Sequence, residues 1–405
     1  MTVPAAADLV VVGAGTIGGW AAHFAAGDGA DTVVVEQGLA GGGASSRAAG
    51  IVRAQAGTAA AAALGRWSID FYRSQPDRLG TDSGFRPLGY LLLATRAREA
   101  REGRARAAQQ QSQGLDVQWL DPPQVERVAP LLATTGHLGG TYRAADGCID
   151  PVRNVRCYSL ALQRAGVRLL ERTLCLGLRT ETRRGSTRVT GLVTSAGTIA
   201  TPRVLLTGGP TIAELGRRCG VRIPVGAVRH QVAVTAPHPA FLEEPQTMVY
   251  DMAKGLYWRE EEGGLLFGMS NPDESPGPAS AVDWRYLARM RRRVGRWVPL
   301  ASGLELRKVW AATIDYTADH LPILGPGLDR DRRPIGGLTV AAPGGHGMMW
   351  GPAVARVGAD LALHGRTDLV DVADLGLGRF DAEQRSRVAG EPIALPFPVM
   401  VEASA

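Results

Sequence analysis

Residues 8–37 read DLVVVGAGTIGGWAAHFAAGDGADTVVVEQ. LVVV has the length and branching of a buried strand, and DTVVVE of a second one. Between them stand Gly13, Gly15 and Gly18, then an alanine-rich helix from about Ile17. This is GxGxxG inside a complete strand–helix–strand unit, closed by an acid, Glu36. Each part has a reason. Gly13 allows a tight turn, Gly15 lets backbone approach a pyrophosphate, and Gly18 lets helix pack on strand. The helix N-terminus then faces the phosphates, and Glu36 accepts from a ribose hydroxyl. The spacing therefore predicts a Rossmann-like dinucleotide-binding fold rather than a glycine-rich turn without a ligand.

The next stretch, QGLAGGGASSRAAGIVRAQ, is a second glycine- and serine-rich loop. Its amides and the hydroxyls of Ser45 and Ser46 suit the other side of the same dinucleotide; the bland reading is a flexible surface loop.

Composition narrows the class. The 405 residues allow two or three domain-sized units. Hydrophobic residues make up 45% and charged ones 21%, ordinary for a soluble protein. The net charge of +6 is almost all arginine, with only Lys254 and Lys308 as lysines. No basic tail or arginine–aromatic repeat supports a nucleic-acid partner. Cys148, Cys157, Cys175 and Cys219 form no CxxC pair, so neither metal ligation nor a disulfide framework is expected. That fits a reducing, cytoplasmic compartment. The N-terminal apolar run lacks preceding basic residues and contains the glycine fingerprint, so it does not read as a signal peptide, and no stretch is apolar for long enough to span a membrane.

Farther on, VAAPGGHGMMWGPAVARVGADLALHG (340–365) sets His346 among glycines just before a helix that Pro352 opens and Gly365 ends. Glycines let backbone pass close to a flat ligand, and a helix N-terminus carries about half a positive charge. The alternative is a loop histidine satisfied by backbone. TADHLPILG would supply a neighbouring wall, with Asp319 holding its turn and Pro322 and Ile323 nearby. TRAREAREGRARAAQQQSQG reads as an exposed helix, DVQWLDPPQVERVAPLL as strand then helix. The helix DWRYLARMRRRVGRWVP buries Tyr286, Leu287, Met290, Val294 and Trp297. AVRHQVAVTAP and GLYWREEEGGLLFGM alternate as antiparallel strands do.

In these segments the chain resembles the FAD-dependent D-amino-acid oxidase-like oxidoreductases, in the branch of sarcosine and glycine oxidases and the beta subunits of sarcosine oxidase and proline dehydrogenase. The matching stretches are GAGTIGG…VVVEQ…GGGASSRAAGIVR, CIDPVRNVRCYSLALQRAGVRLLERTLCLGL, VYDMAKGLYWREEEGGLLFGMSNPDE, WAATIDYTADHLPILGP and the loop–helix at 340–365. The resemblance implies an α/β fold: a Rossmann-like FAD domain, discontinuous in sequence, with a mainly antiparallel α+β substrate domain. It divides the chain into FAD-domain parts 1–88, 145–225 and 312–405 and substrate-domain parts 89–144 and 226–311.

It also implies FAD, held without a covalent bond. The contacts are carried by Gly13, Gly15, Thr16, Ile17 and Gly18 of the first turn and by Glu36 and Gln37 at the strand end. Ala44, Ser45, Ser46, Arg47, Ala49 and Gly50 contribute from the second loop, Leu174, Thr207 and Gly208 from mid-chain. Gly345, His346, Gly347 and Met348 lie against the flavin ring, where Gly344 also belongs. Relatives that attach the flavin use a cysteine or histidine at positions that here hold Ala312 and Arg47. In simple oxidases a lysine that promotes reaction with oxygen stands where Leu266 does, and carboxylate-clamping groups of small-substrate relatives stand where Met349 and Gly50 do.

The activity implied is oxidation of a C–N bond in a secondary or N-methylated amine or amino acid by hydride transfer to flavin N5. Tyr257, His346, Met349 and Arg53 are the catalytic candidates. His230, Tyr250, Trp258, Arg259, Trp310, Tyr316 and Trp350 are further wall candidates, several of them plain core aromatics. The expected partner is a small-molecule amine, with no metal, nucleic acid or membrane. A monomer or homodimer is expected; the alternative is an FAD-bearing subunit of a multi-subunit amine dehydrogenase.

Overall fold

The computed structural model describes residues 3–243, 247–279 and 281–392. The end of the C-terminal segment, 393–405, lies outside the described residues.

The opening stretch folds as its pattern demands. Strand β1 (Leu9–Val12) and strand β2 (Thr32–Val35) are fully buried, joined by helix α1 (Thr16–Gly27). They pair in parallel, Val10 opposite Val33, and β1 pairs in parallel with Val204–Leu206 on its other side. Parallel strands covered on both faces read as continuous apolar runs, which is why VVV appears twice. The nine-stranded sheet built on them also takes in Arg168–Leu170 and Pro334–Ala342. The hairpin of Cys175–Arg183 and Ser186–Thr194 joins it as well.

A second sheet of eight strands is antiparallel apart from the parallel pairing of Met248–Asp251 with Tyr90–Leu93. Its outer strand Leu306–Tyr316 runs antiparallel to Gly226–Thr235, which pairs with Gly264–Ser270. Helix Trp284–Trp297 buries Tyr286, Leu287, Met290 and Val294. Trp297 is half-buried and stacks on Trp258, ring centres 6.4 Å apart.

Two helices lock the first glycine turn to distant parts of the chain. Helix Pro151–Arg164 starts at Asp150, whose carboxylate accepts from Val152 and Arg153 N–H groups, with Pro151 in its first turn. Its Asn154 then accepts from Trp20 Nε1 at 3.0 Å and donates to Thr16 Oγ1 at 3.1 Å. Helix Gly351–His364 packs on α1 and ends at Gly365 in the left-handed conformation. A Cβ on Gly351 would lie 2.7 Å from Thr16 Cγ2, so glycine permits that approach. Among the described residues no helix is long and apolar enough to cross a membrane.

Candidate active site

A cavity of roughly 750 Å³ runs between the two sheets. One end is the glycine turn. Gly13 has φ +107°, and its N–H donates to Val35 O at 2.8 Å. A Cβ on Gly18 would stand 1.8 Å from Gly13 O, and one on Gly15 would stand 3.0 Å from Ser45 Oγ. Ser45 Oγ accepts from the Thr16 N–H at 2.9 Å, so the second glycine loop is tied to the start of α1. The Glu36 carboxylate accepts from Ala14 N and Gly38 N, each at 2.8 Å. Those bonds hold it at the cavity wall with lone pairs to spare for a ligand hydroxyl. A glycine-floored cradle, the positive end of a twelve-residue helix and a fixed acid fit a dinucleotide.

Of the expected cofactor residues, Gly13, Gly15, Thr16, Ile17, Glu36, Gln37, Ala44, Ser45, Arg47, Ala49, Gly50, Leu174, Thr207, Gly208, Gly345, His346, Gly347 and Met348 line this cavity. Gly18 and Ser46 do not. Gly18 works one layer down, packing helix on turn. Ser46 closes the 3₁₀ turn Ala44–Ser46 and is not on the cavity wall.

The other end collects Arg53, Tyr90, His230, Tyr250, Tyr257, His346 and Met349. His230 is buried between two hydroxyls: Ser270 Oγ lies 2.9 Å from Nδ1 and Tyr257 Oη 2.6 Å from Nε2. Glycine makes the second contact possible. Gly268 is the cross-strand partner of Tyr257, and a Cβ there would stand 2.4 Å from the Tyr257 hydroxyl. Burial lowers His230 to about 4, so the ring is neutral, and burial pushes Tyr257 far above the usual phenol range.

His346 is held well below the usual range, first by burial and then by the Arg53 cation. Its Nδ1 lies 3.2 Å from Gly344 O. A carbonyl only accepts, so Nδ1 carries the proton and Nε2 of the neutral ring is an acceptor. Gly344 and Gly345 take φ +62° and +94°, which explains two of the loop's glycines. Met348 is fixed by Tyr72 Oη donating to its carbonyl at 3.0 Å. Arg53 is buried and donates to Gln55 O.

Five other wall candidates sit elsewhere. Trp258 packs on Trp297. Arg259 donates to Ala49 O and pairs with Glu261. Trp310 donates to Arg47 O at 2.8 Å. Tyr316 is buried against Gly226. Trp350 backs His346, ring centres 4.1 Å apart. Asp319 does hold its turn, accepting from Leu321 N and pairing with Arg379 at 2.7 Å, but Pro322 and Ile323 are not on the cavity wall.

Sequence reasoning missed Tyr90, Ser270 and Asp315. Asp315 lines the cavity, and burial raises its carboxyl to about 6 against the pull of the Gly345 and Gly344 amides. The available signal was its isolation: it is the one acid in the strand VWAATIDY.

A Rossmann-type turn facing a mainly antiparallel sheet across one cavity fits a flavin-dependent oxidoreductase. The family model described as "FAD dependent oxidoreductase" matches residues 8–361. The chain belongs to that family, whose cofactor is FAD. It is 26% identical over 398 residues to 4-methylaminobutanoate oxidase (formaldehyde-forming) of Paenarthrobacter nicotinovorans, covering 95% of this chain and 47% of that protein. It is 25% identical over 328 residues to sarcosine oxidase subunit beta of Rhodobacter capsulatus, covering 80% and 76%. The chain thus spans about half the length of the first relative. Glycine oxidase from Geobacillus kaustophilus superposes with a TM-score of 0.80 at 27% identity, over 93% of this chain and 99% of that one. L-proline dehydrogenase from P. horikoshii shares the fold, with a TM-score of 0.83 at 23% identity over 91% and 96%.

Proposed function

We propose that this chain oxidises the C–N bond of a secondary or N-methylated amine or amino acid, releasing an imine that water hydrolyses. FAD supplies the hydride acceptor, its N5. The observation that carries the reading is the hydrogen-bonded pair Tyr257–His230 on the wall of the FAD cavity, beside Arg53 and Met349. The names of two relatives, one a methylaminobutanoate oxidase and one a sarcosine oxidase subunit, point to the same chemistry.

The residues have distinct tasks. An aliphatic amine reaches the site mostly as an ammonium ion, and hydride leaves only from its neutral form. Neutral His230 takes a hydrogen bond from Tyr257 when Nδ1 donates to Ser270, and the phenol oxygen then has lone pairs for an amine N–H. Arg53 lines the cavity, where a substrate carboxylate would meet its charge; Arg259, bonded to Ala49 O and Glu261, is not on that wall. Met349, in the place of a lysine, favours a larger or more apolar amine than sarcosine or glycine. The buried walls keep water from the reacting carbon.

An anaerobic screen of N-methylated amines and amino acids tests this by bleaching of the flavin band. At least one should bleach it, with sarcosine and glycine slow or incomplete. A panel that leaves the flavin oxidised, while a chemical reductant still bleaches it, would overturn the reading. A second reading, a subunit of a larger amine dehydrogenase, is favoured by the relative named as a beta subunit. Gel filtration of the chain alone, with bleaching assayed across the same fractions, separates the two.

A further inference from the structure

The cavity wall carries a feature that amine oxidation does not use. Cys175 opens the strand Cys175–Arg183, and Cys219 caps the helix Ile212–Arg218. They are 44 residues apart in sequence, yet their sulfurs lie 4.0 Å apart. All four cysteines are free thiols, and this pair is the one with a sulfur–sulfur contact among them. Cys175 lines the cavity beside Leu174 and Thr173, at the end held by Glu36. Arg218, on the helix, donates from Nη1 to Cys175 O at 3.1 Å and so ties the two elements together.

We propose that Cys175 and Cys219 form an oxidisable dithiol, a modification site for peroxides that is open in the FAD-free protein and covered when FAD is bound. The chemistry balances with one peroxide. Hydrogen peroxide oxidises the Cys175 thiol to a sulfenic acid and leaves as water. Cys219 Sγ attacks that sulfur, the S–S bond forms, and the sulfenic oxygen leaves as a second water. Two thiols and one peroxide give one disulfide and two waters.

Cys175 is the attacking sulfur for two reasons. It alone of the pair is on the cavity wall. It is also the more acidic: the hydrogen bond from the Cys219 thiol draws it below the usual thiol range, with Arg218 adding to the effect, while Cys219 is pushed up. Closing the contact from 4.0 Å to a bond of about 2 Å takes a side-chain rotation and a small approach of two elements already in contact. FAD would protect because Glu36, Thr173, Leu174 and Cys175 share one wall, and a dinucleotide held by Glu36 would cover it.

The test compares FAD-loaded and FAD-free protein treated with hydrogen peroxide, then alkylated and mapped as peptides without reductant. The expected result is a cross-linked peptide pair containing Cys175 and Cys219 in the FAD-free protein, released by dithiothreitol. It should form at least about tenfold more slowly with FAD bound. In Cys219→Ser, Cys175 should instead be trapped as a sulfenic acid by dimedone. Full alkylation of both thiols after peroxide in FAD-free protein, oxidation confined to Cys148 or Cys157, or equal cross-linking with and without FAD would each overturn the proposal.

Discussion

At the scale of single residues, His230 carries a consequence for stability. An unfolded histidine titrates near about 6.5; burial holds His230 at about 4. Between those values the unfolded chain binds a proton that the folded one refuses, so stability falls with pH across that window. The contribution is complete above roughly pH 6.5 and gone below about pH 4, at about 1.4 kcal/mol per unit. Urea unfolding at about pH 7 and about pH 5 should show wild type losing roughly 2 kcal/mol more than His230→Gln. Equal losses would mean the buried ring is charged or its pocket opens. In the proposed function the partner hydroxyl takes part in catalysis. Tyr257→Phe keeps the ring packing and removes the hydroxyl that would hold the amine N–H, so anaerobic flavin reduction by the best substrate should slow about 10²-fold; an unchanged rate would remove Tyr257 from the chemistry. The place of Tyr257, Arg53, His346 and Met349 on the cavity wall was legible because they sit in stretches with family precedent or in a loop that packing does not explain. Ser270 was not, because its part depends on a cross-strand pairing with His230 that sequence does not print.

Elements make the next set of expectations. The β1–α1–β2 unit was readable almost residue by residue, since its glycines answer to backbone geometry alone. Gly18→Ala drives a methyl into Gly13 O, with no flexible side chain to yield. It should abolish FAD retention and lower the melting temperature, measured by flavin content and thermal unfolding; a yellow variant of wild-type stability would show that the turn can widen. Gly268→Ala is milder and local: it should push the Tyr257 hydroxyl off His230, slowing flavin reduction while leaving FAD bound. Leu266, in the same strand Gly264–Ser270, is a buried core residue opposite Arg259 and Val234, and does not line the cavity. The nearby guanidinium of Arg259 is neutralised by Glu261. No fixed, unpaired cation is offered by either residue to stabilise superoxide, so reduced enzyme mixed with air-saturated buffer should reoxidise slowly in stopped flow. Reoxidation as fast as in ordinary flavin oxidases would sink this.

The described residues form two large sheets flanking one cavity, with a small two-stranded pair, Ile51–Val52 and Gly147–Cys148, and this assembly explains what sequence could and could not reveal. Alternation marked the second sheet and continuous apolar runs the first, but the order in which distant strands pair was not legible in the sequence. A cofactor bound in that cavity would meet residues of both sheets and so link their stabilities. Ala312 and Arg47, the anchor positions that the resemblance implies, both line the cavity and carry neither thiol nor imidazole. The one thiol on the wall, Cys175, stands at the Glu36 end, away from the His346 loop. FAD should therefore be held without a covalent bond and stabilise the fold by mass action. A ligand at a hundredfold excess over its Kd contributes about 2.7 kcal/mol. Dialysis against a chaotropic salt should give colourless protein whose melting temperature climbs steadily as FAD is added back. Acid precipitation of the loaded protein should leave the yellow colour in the supernatant. A yellow pellet, or a melting temperature indifferent to added FAD, would mean that a bond forms at a side chain the geometry does not favour.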